Sequence, residues 1–224
     1  MNHYFRTAQI LLVCLVAMSC QANKWQKYYQ NKLKEPPREL LVKALGLMNI
    51  DSSAHPRAID LGAGVGNETL LLLKSRFLVT AVDNNALAIE MLRNRPGMQE
   101  HLRNLTTMES SIETLDWSKL PKSDLMLASF ALPFVAPKNF SGVFNGIKNN
   151  LKPRGYFVGH FFDPSYIGFP EKERVHMSFQ TKQQVFELFK DFEMLYFNEH
   201  ESPGKSGTGR AIVSEALRVR RAQP

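Results

Sequence analysis

Residues 58–85 read "AIDLGAGVGNETLLLLKSRFLVTAVDNN" and hold the key to the fold. An apolar run ends at Leu61, glycines follow at 62, 64 and 66, and a helix-like stretch begins at Asn67. A second apolar run then closes on Asp83, 21 residues beyond Gly62. The glycines lack a Cβ where the chain must turn sharply from strand to helix and let a ligand approach the backbone. The helix that follows presents free N–H groups and the positive end of its dipole. A carboxylate ending the second strand can accept hydrogen bonds from both hydroxyls of a ribose. A purely structural alternative makes this a glycine-rich turn, with Asp83 capping the next helix.

Working outward, strand-like and helix-like segments alternate. The pattern predicts strands at 58–61, 77–82, 102–108, 124–129 and 156–162. Helices are expected at 67–74, 86–93, 140–149 and 182–189, the last capped by Thr181 with Gln184 three residues on. Two further strands, 193–197 and 211–218, have only a Gly/Ser loop between them and so must pair as a hairpin. Upstream, "RELLVKAL" has helical spacing and Gly46 is the expected C-cap. The expected fold is α/β: a Rossmann-like, open, mostly parallel seven-stranded sheet with a C-terminal antiparallel strand and helices on both faces.

The chain has 224 residues, 44% of them apolar and 22% charged, enough for one large domain with a full core. Its net charge of +7 is spread along the chain, and no nucleic-acid motif of known spacing is present. With only Cys14 and Cys20, it has no disulfide framework and no thiolate metal site. Asp163, Glu173 and His176 lack metal-ligand spacing, so no metal is expected. Residues 1–20 form a separate apolar segment in which "ILLVCLVAM" is short for a membrane span. Two readings of it stand: signal-like processing that leaves a lipidated Cys20 on a membrane, or an extension upstream of a start at Met18.

Asp60 separates the adenosyl cofactors. A carboxylate just before the glycine loop repels a pyrophosphate, whereas it suits an ammonium and a sulfonium. It therefore favours S-adenosylmethionine over NAD. "AIDLGAGVGNET" and "VTAVDNN" resemble the first two motifs of class I S-adenosylmethionine-dependent methyltransferases. "DLMLASFALPFVAPKNF" and "IKNNLKPRGYFVGHFF" look like the fourth-strand motif and the helix–turn–strand that follows it, and the "ALPF…P" wording resembles the bacterial subset related to tellurite-resistance methyltransferases.

The resemblance implies a methyltransferase domain over residues 21–224, with an N-terminal lid helix. It implies that Asp60 and the backbone of Gly62, Ala63 and Gly64 hold the methionine moiety. Asp83 would take the ribose hydroxyls, and Asn84 would pack beside the adenine. In "SSIETLDW", Ser111 stands where the family often has an adenine-binding acid, Ile112 follows it, and Glu113 points away if the segment is extended. Ser129 and Phe130 would lie near the transferred methyl. "NKWQKYY" resembles the lid, with Trp25 and Tyr29 either closing over the ligand or docking the first helix to the core.

Methyl transfer from a sulfonium rests mainly on positioning. His160 and Tyr166, after or at the end of the fifth strand, are the candidate catalytic groups, and His160 is equally readable as a packed strand residue. The expectation is a cytoplasmic methyltransferase acting on a small-molecule acceptor, with no nucleic acid as partner. The alternative is a non-catalytic, membrane-tethered domain of the same fold.

Overall fold

The computed structural model describes residues 26–49, 55–203 and 210–220. Trp25 and the apolar segment 1–20, with Cys20, lie outside the described residues. The strands are Arg57–Leu61 (β1), Leu78–Asp83 (β2), Leu105–Glu109 (β3), Ser123–Ala128 (β4), Leu151–Phe162 (β5), Phe192–Pro203 (β6) and Arg210–Arg220 (β7). They form one sheet in the order β3-β2-β1-β4-β5-β7-β6. β1 to β5 pair in parallel, and β7 inserts antiparallel between β5 and β6. This is the expected mostly parallel sheet with an antiparallel C-terminal strand.

Helices run over residues 26–32 (α1), Glu39–Leu47 (α2), Asn67–Lys74 (α3), Ala86–Asn94 (α4), Pro137–Asn150 (α5), Glu171–Arg174 (α6) and Lys182–Leu188 (α7). Strand alternation sends side chains to two cores. Ile59, Met126 and Phe157 pack against Phe144 and Ile147 of α5 and Val185 of α7. On the other face Ala58, Leu125 and Val158 meet Leu41 of α2 and Leu72 of α3. Because β1 and β4 are covered on both faces, their sequences read as nearly unbroken apolar runs. Among the described residues no helix is long and apolar enough to cross a membrane.

Several boundaries differ from the sequence reading. Gly46 lies inside α2, whose C-cap is Met48 in an extended conformation, so no left-handed glycine ends this helix. Residues 102–104 belong to a 3-10 turn, and β3 starts only at Leu105. The "KPRG" stretch does not separate helix from strand. β5 begins at Leu151 and passes through a register shift, with Arg154 at φ +63°. The Thr181–Gln184 capping box is present as expected.

β7 also buries a cation. Arg218 is 3% exposed, and among the described residues its Nε and Nη2 have no hydrogen-bond partner. The guanidinium lies 4.6 Å from the Phe186 ring centre, 5.6 Å from Phe189 and 5.8 Å from Phe197. Ring faces attract the cation, but removing it from water opposes that gain, and burial lowers its pKa. Arg218→Met, which keeps the stem volume, is therefore expected to leave Tm unchanged or raise it by about 2–4 °C. A clear fall in thermal unfolding would show that the ring contacts outweigh desolvation.

Candidate functional site

The carboxyl ends of β1, β2 and β4 open into a cavity of about 590 Å³, the size of a small-ligand site. Its floor is the glycine loop. Gly62, Gly64 and Gly66 have φ of +72°, +53° and +75°, which side-chain-bearing residues rarely adopt. Gly62 is also held by packing, because a Cβ there would lie 2.7 Å from the Cβ of Ala131.

The loop's amides turn inward. Gly62 N and Ala63 N donate to the Val82 carbonyl at 2.8 and 3.0 Å, and Gly66 N to the Ala63 carbonyl at 2.9 Å. Gly64 N donates to Asp83 Oδ2 at 2.8 Å. Asp83 Oδ1 accepts from Asn85 N at 3.0 Å, so each carboxylate oxygen keeps lone-pair capacity toward the cavity. Burial pushes the Asp83 pKa up, and the backbone N–H groups hold it down. Asp83 is not the cap of the next helix. That residue is Asn85, whose side chain accepts from Leu87 N and Ala88 N.

Asp60 lies behind the loop. Its carboxylate is buried, accepts from Thr69 Oγ1 at 2.6 Å, and is not part of the cavity wall. Burial first, then the nearby Glu68 carboxylate, pushes its pKa up to about 7 against the Thr69 hydrogen bond. Among the described residues, six charged side chains line the cavity: Glu35, Glu68, Asp83 and Glu113 against Lys32 and Arg38. A protein of net charge +7 thus encloses an acid-rich cavity. Such a site attracts cations.

Helix α1 and the segment after it form one wall. Tyr29 packs on Val65 and Ala88 and also lines the cavity, so it both docks the helix and faces the ligand space. Lys32 Nζ pairs with Glu35 at 2.8 Å, and Arg38 N donates to Glu68 Oε1 at 3.0 Å. At the far end, Phe130 has φ +53°, a strained conformation for a non-glycine residue. Its ring stacks on His160 at 4.0 Å between centres and carries the Arg38 guanidinium 5.0 Å from its centre.

Residues 18–205 match the family described as tellurite resistance protein TehB. The chain belongs to the TehB family. The structure of TehB from Haemophilus influenzae superposes with a TM-score of 0.64 at 19% identity, covering 82% of this chain and 61% of that one. This chain thus spans less than two thirds of that relative's length. A SAM-dependent methyltransferase from Methanosarcina mazei gives 0.61 at 17% identity, covering 84% of this chain and 100% of that one. A Burkholderia thailandensis 1,6-didemethyltoxoflavin-N1-methyltransferase, solved with its acceptor and S-adenosylhomocysteine, gives 0.57 at 17%, covering 99% and 92%. No curated protein sequence matches the chain significantly. At these identities the structural likeness concerns the fold, which is that of the S-adenosylmethionine-dependent methyltransferases.

Within this TehB-family chain, Tyr29, Gly62, Ala63, Gly64, Asp83, Asn84, Ser111, Ile112, Ser129, Phe130 and Tyr166 all line the one cavity. Two expected residues do not. Asp60 is sealed behind the loop, so it faces the cavity only through its field. His160 is buried behind Phe130, with Nε2 3.6 Å from Glu215 Oε1, its cross-strand partner on β7. Burial lowers the His160 pKa, while Glu215 raises it. Phe130 lines the cavity and stacks on His160, which does not line it, an arrangement that matches a packed strand residue. Glu113 is corrected too. Residues 112–113 form a turn, and Glu113 lines the cavity while accepting from Ala136 N at 2.9 Å and from Asn139 Nδ2 at the start of α5.

Sequence reading missed Arg95, which braces the loop through Nη1 to the Val65 carbonyl at 3.0 Å and Asn67 Oδ1 at 2.7 Å. It also missed the charged wall of Lys32, Glu35, Arg38 and Glu68. For Lys32, Glu35 and Arg38 the nearest signal was the density of charge just after the aromatic lid motif.

Proposed function

We propose that the chain is an S-adenosylmethionine-dependent methyltransferase acting on a small-molecule acceptor. The observation that carries this reading is the inward turn of the loop amides. A pyrophosphate draws on N–H groups of the glycine loop and the helix N-terminus, and here Gly62, Ala63 and Gly64 already direct theirs at Val82 and Asp83. The acid-rich cavity instead suits a ligand with a sulfonium and an ammonium, and buried Asp60 adds its field behind the loop.

In this reading Asp83 accepts from the ribose diol, and Asn84, Ser111 and Ile112 border the adenine. Gly62, Ala63 and Gly64 face the methionine end, and Tyr29 covers it. Ser129 and Phe130 flank the methyl group. An acceptor lone pair forms the bond to the methyl carbon, the carbon–sulfur bond breaks, and its electron pair stays on sulfur. The cofactor leaves as neutral-sulfur S-adenosylhomocysteine. A cytoplasmic setting, where the cofactor is made, accompanies the reading.

Calorimetric titration with S-adenosylhomocysteine tests it. Saturable binding of one ligand per chain is the expected result, with no binding of NADH. Folded protein that ignores S-adenosylhomocysteine would reject the reading.

A further inference from the structure

Beyond Ser129 the cavity ends among five rings: Phe130, Phe134, Phe162, Tyr166 and Phe169. Phe162 and Tyr166 stack face to face, 3.9 Å apart and within 1° of parallel. Phe134 meets Phe162 and Phe169 edge to face, at 6.4 and 5.6 Å between centres. It nonetheless remains 53% exposed. Residues 178–180 are tied to this end, with Ser178 Oγ donating to the Val135 carbonyl at 2.7 Å and Gln180 N to the Phe162 carbonyl at 2.8 Å. An open aromatic surface is a stacking platform for another ring.

Among the described residues, the carboxylates on the cavity wall are all engaged. The described ionisable groups on the cavity wall are Lys32, Glu35, Arg38, Glu68, Asp83, Glu113 and tyrosines 28, 29 and 166. Lys32 is held by Glu35, Glu113 by the start of α5, and Asp83 by the glycine loop. Glu68 accepts the Arg38 amide, and burial raises the Tyr166 pKa, leaving its hydroxyl protonated. His160 stacks on Phe130 and does not line the cavity. With these described groups already engaged, the ring-lined end suits an acceptor that arrives with its lone pair free. Arg38 offers such an anion a partner. It lies over Phe130, its side chain is 42% exposed, and its ion pair to Glu35 spans 3.7 Å.

We propose that the acceptor is a flat aromatic molecule whose nucleophile is already an anion at neutral pH, an acidic phenol or aryl thiol. Its ring stacks among Phe134, Tyr166 and Phe169, and its anionic atom lies beside Arg38. This rests on the methyltransferase reading. The proton leaves to solvent before binding. The aryl thiolate's electron pair then forms the new sulfur–carbon bond, the cofactor's carbon–sulfur bond breaks, and the products are an aryl methyl sulfide and S-adenosylhomocysteine.

The test supplies S-adenosylmethionine with 4-nitrothiophenol, 2-mercaptoethanol or potassium tellurite, and follows methylated product by mass spectrometry. The aryl thiol is expected to exceed 2-mercaptoethanol, corrected for thiolate fraction, by about tenfold in kcat/KM. Phe134→Ala and Phe169→Ala should each lower the aryl-thiol value by about tenfold with S-adenosylhomocysteine affinity unchanged. The pH profile should follow the ionisation of the thiol and move when a less acidic aryl thiol is used. Equal use of 2-mercaptoethanol or tellurite overturns the proposal. So does absence of product from all three with protein that binds S-adenosylhomocysteine. Failure to bind S-adenosylhomocysteine strikes the methyltransferase reading itself.

Discussion

Asp83→Ala should lower the affinity for S-adenosylhomocysteine by about 100-fold or more while leaving a folded protein. In the proposed site its carboxylate accepts from two ribose hydroxyls, and hydrogen bonds to an ionised partner contribute about 1.5–3 kcal/mol each. Two of them correspond to at least two powers of ten in affinity. The substitution also frees Gly64 N, now 2.8 Å from Oδ2, and Asn85 N, 3.0 Å from Oδ1, so the loop keeps only its Gly62 and Ala63 ties to the Val82 carbonyl at the end of β2. Stability should suffer less than binding, because burial already raises the Asp83 pKa and removing the charge removes that desolvation. Asp83→Asn separates the two effects. Its amide oxygen can still receive Gly64 N–H, but the diol loses a charged acceptor, so a smaller drop in affinity is expected. Calorimetry on both variants with thermal unfolding beside it checks this; affinity within threefold of the parent for Asp83→Ala would remove Asp83 from the site.

What the sequence makes legible follows contact range. The Gly62–Gly66 turn, the acid ending β2 and the Thr181 capping box are local patterns, so a few neighbouring residues define them. The two-sided burial of β1 and β4 likewise shows in unbroken apolar runs such as Leu125–Ala128. Boundaries failed where a local signal met a tertiary one. Gly46 looks like a helix end, but α2 continues to Leu47, its face anchored by Leu40, Leu41 and Ala44. "KPRG" looks like a turn, but pairing with β4 carries β5 through it as an irregularity.

The site divides in the same way. Asp60 is legible as an acid at the loop, but whether it touches the cavity depends on Thr69, across the loop in the first turn of α3, donating back to it. His160 sits at the carboxyl end of a strand, where functional groups gather, but its orientation is set by Glu215, which comes opposite only through the β5–β7 register. Arg95 reaches residues 28 and 30 positions away. Helical or strand periodicity does not report a contact of that range.

In unliganded protein, Asp60 should make stability fall as pH rises from about 4 to about 7, and Asp60→Asn should abolish that component. Its pKa moves from 3.8 to about 7 on folding, chiefly by burial and then by Glu68. Between those values the folded state holds a proton that the unfolded state has released. The unfolding free energy therefore decreases with pH across this window and levels off above it. That displacement of the pKa corresponds to an upper bound of about 4 kcal/mol. The amide introduced by Asp60→Asn would keep the contact with the Thr69 hydroxyl without a buried charge, so at pH 8 the variant should melt higher, by up to about 10 °C. Cofactor binding should show the opposite preference. The sulfonium and ammonium of S-adenosylmethionine favour ionised Asp60, so affinity should rise through about pH 7 in the parent and lose that dependence in Asp60→Asn. The difference between parent and variant isolates Asp60 from Asp83 and the other titrating groups. Tm and S-adenosylmethionine affinity measured from about pH 5 to 8.5 decide the matter, and parallel pH profiles for the two proteins would show that Asp60 does not titrate in this range.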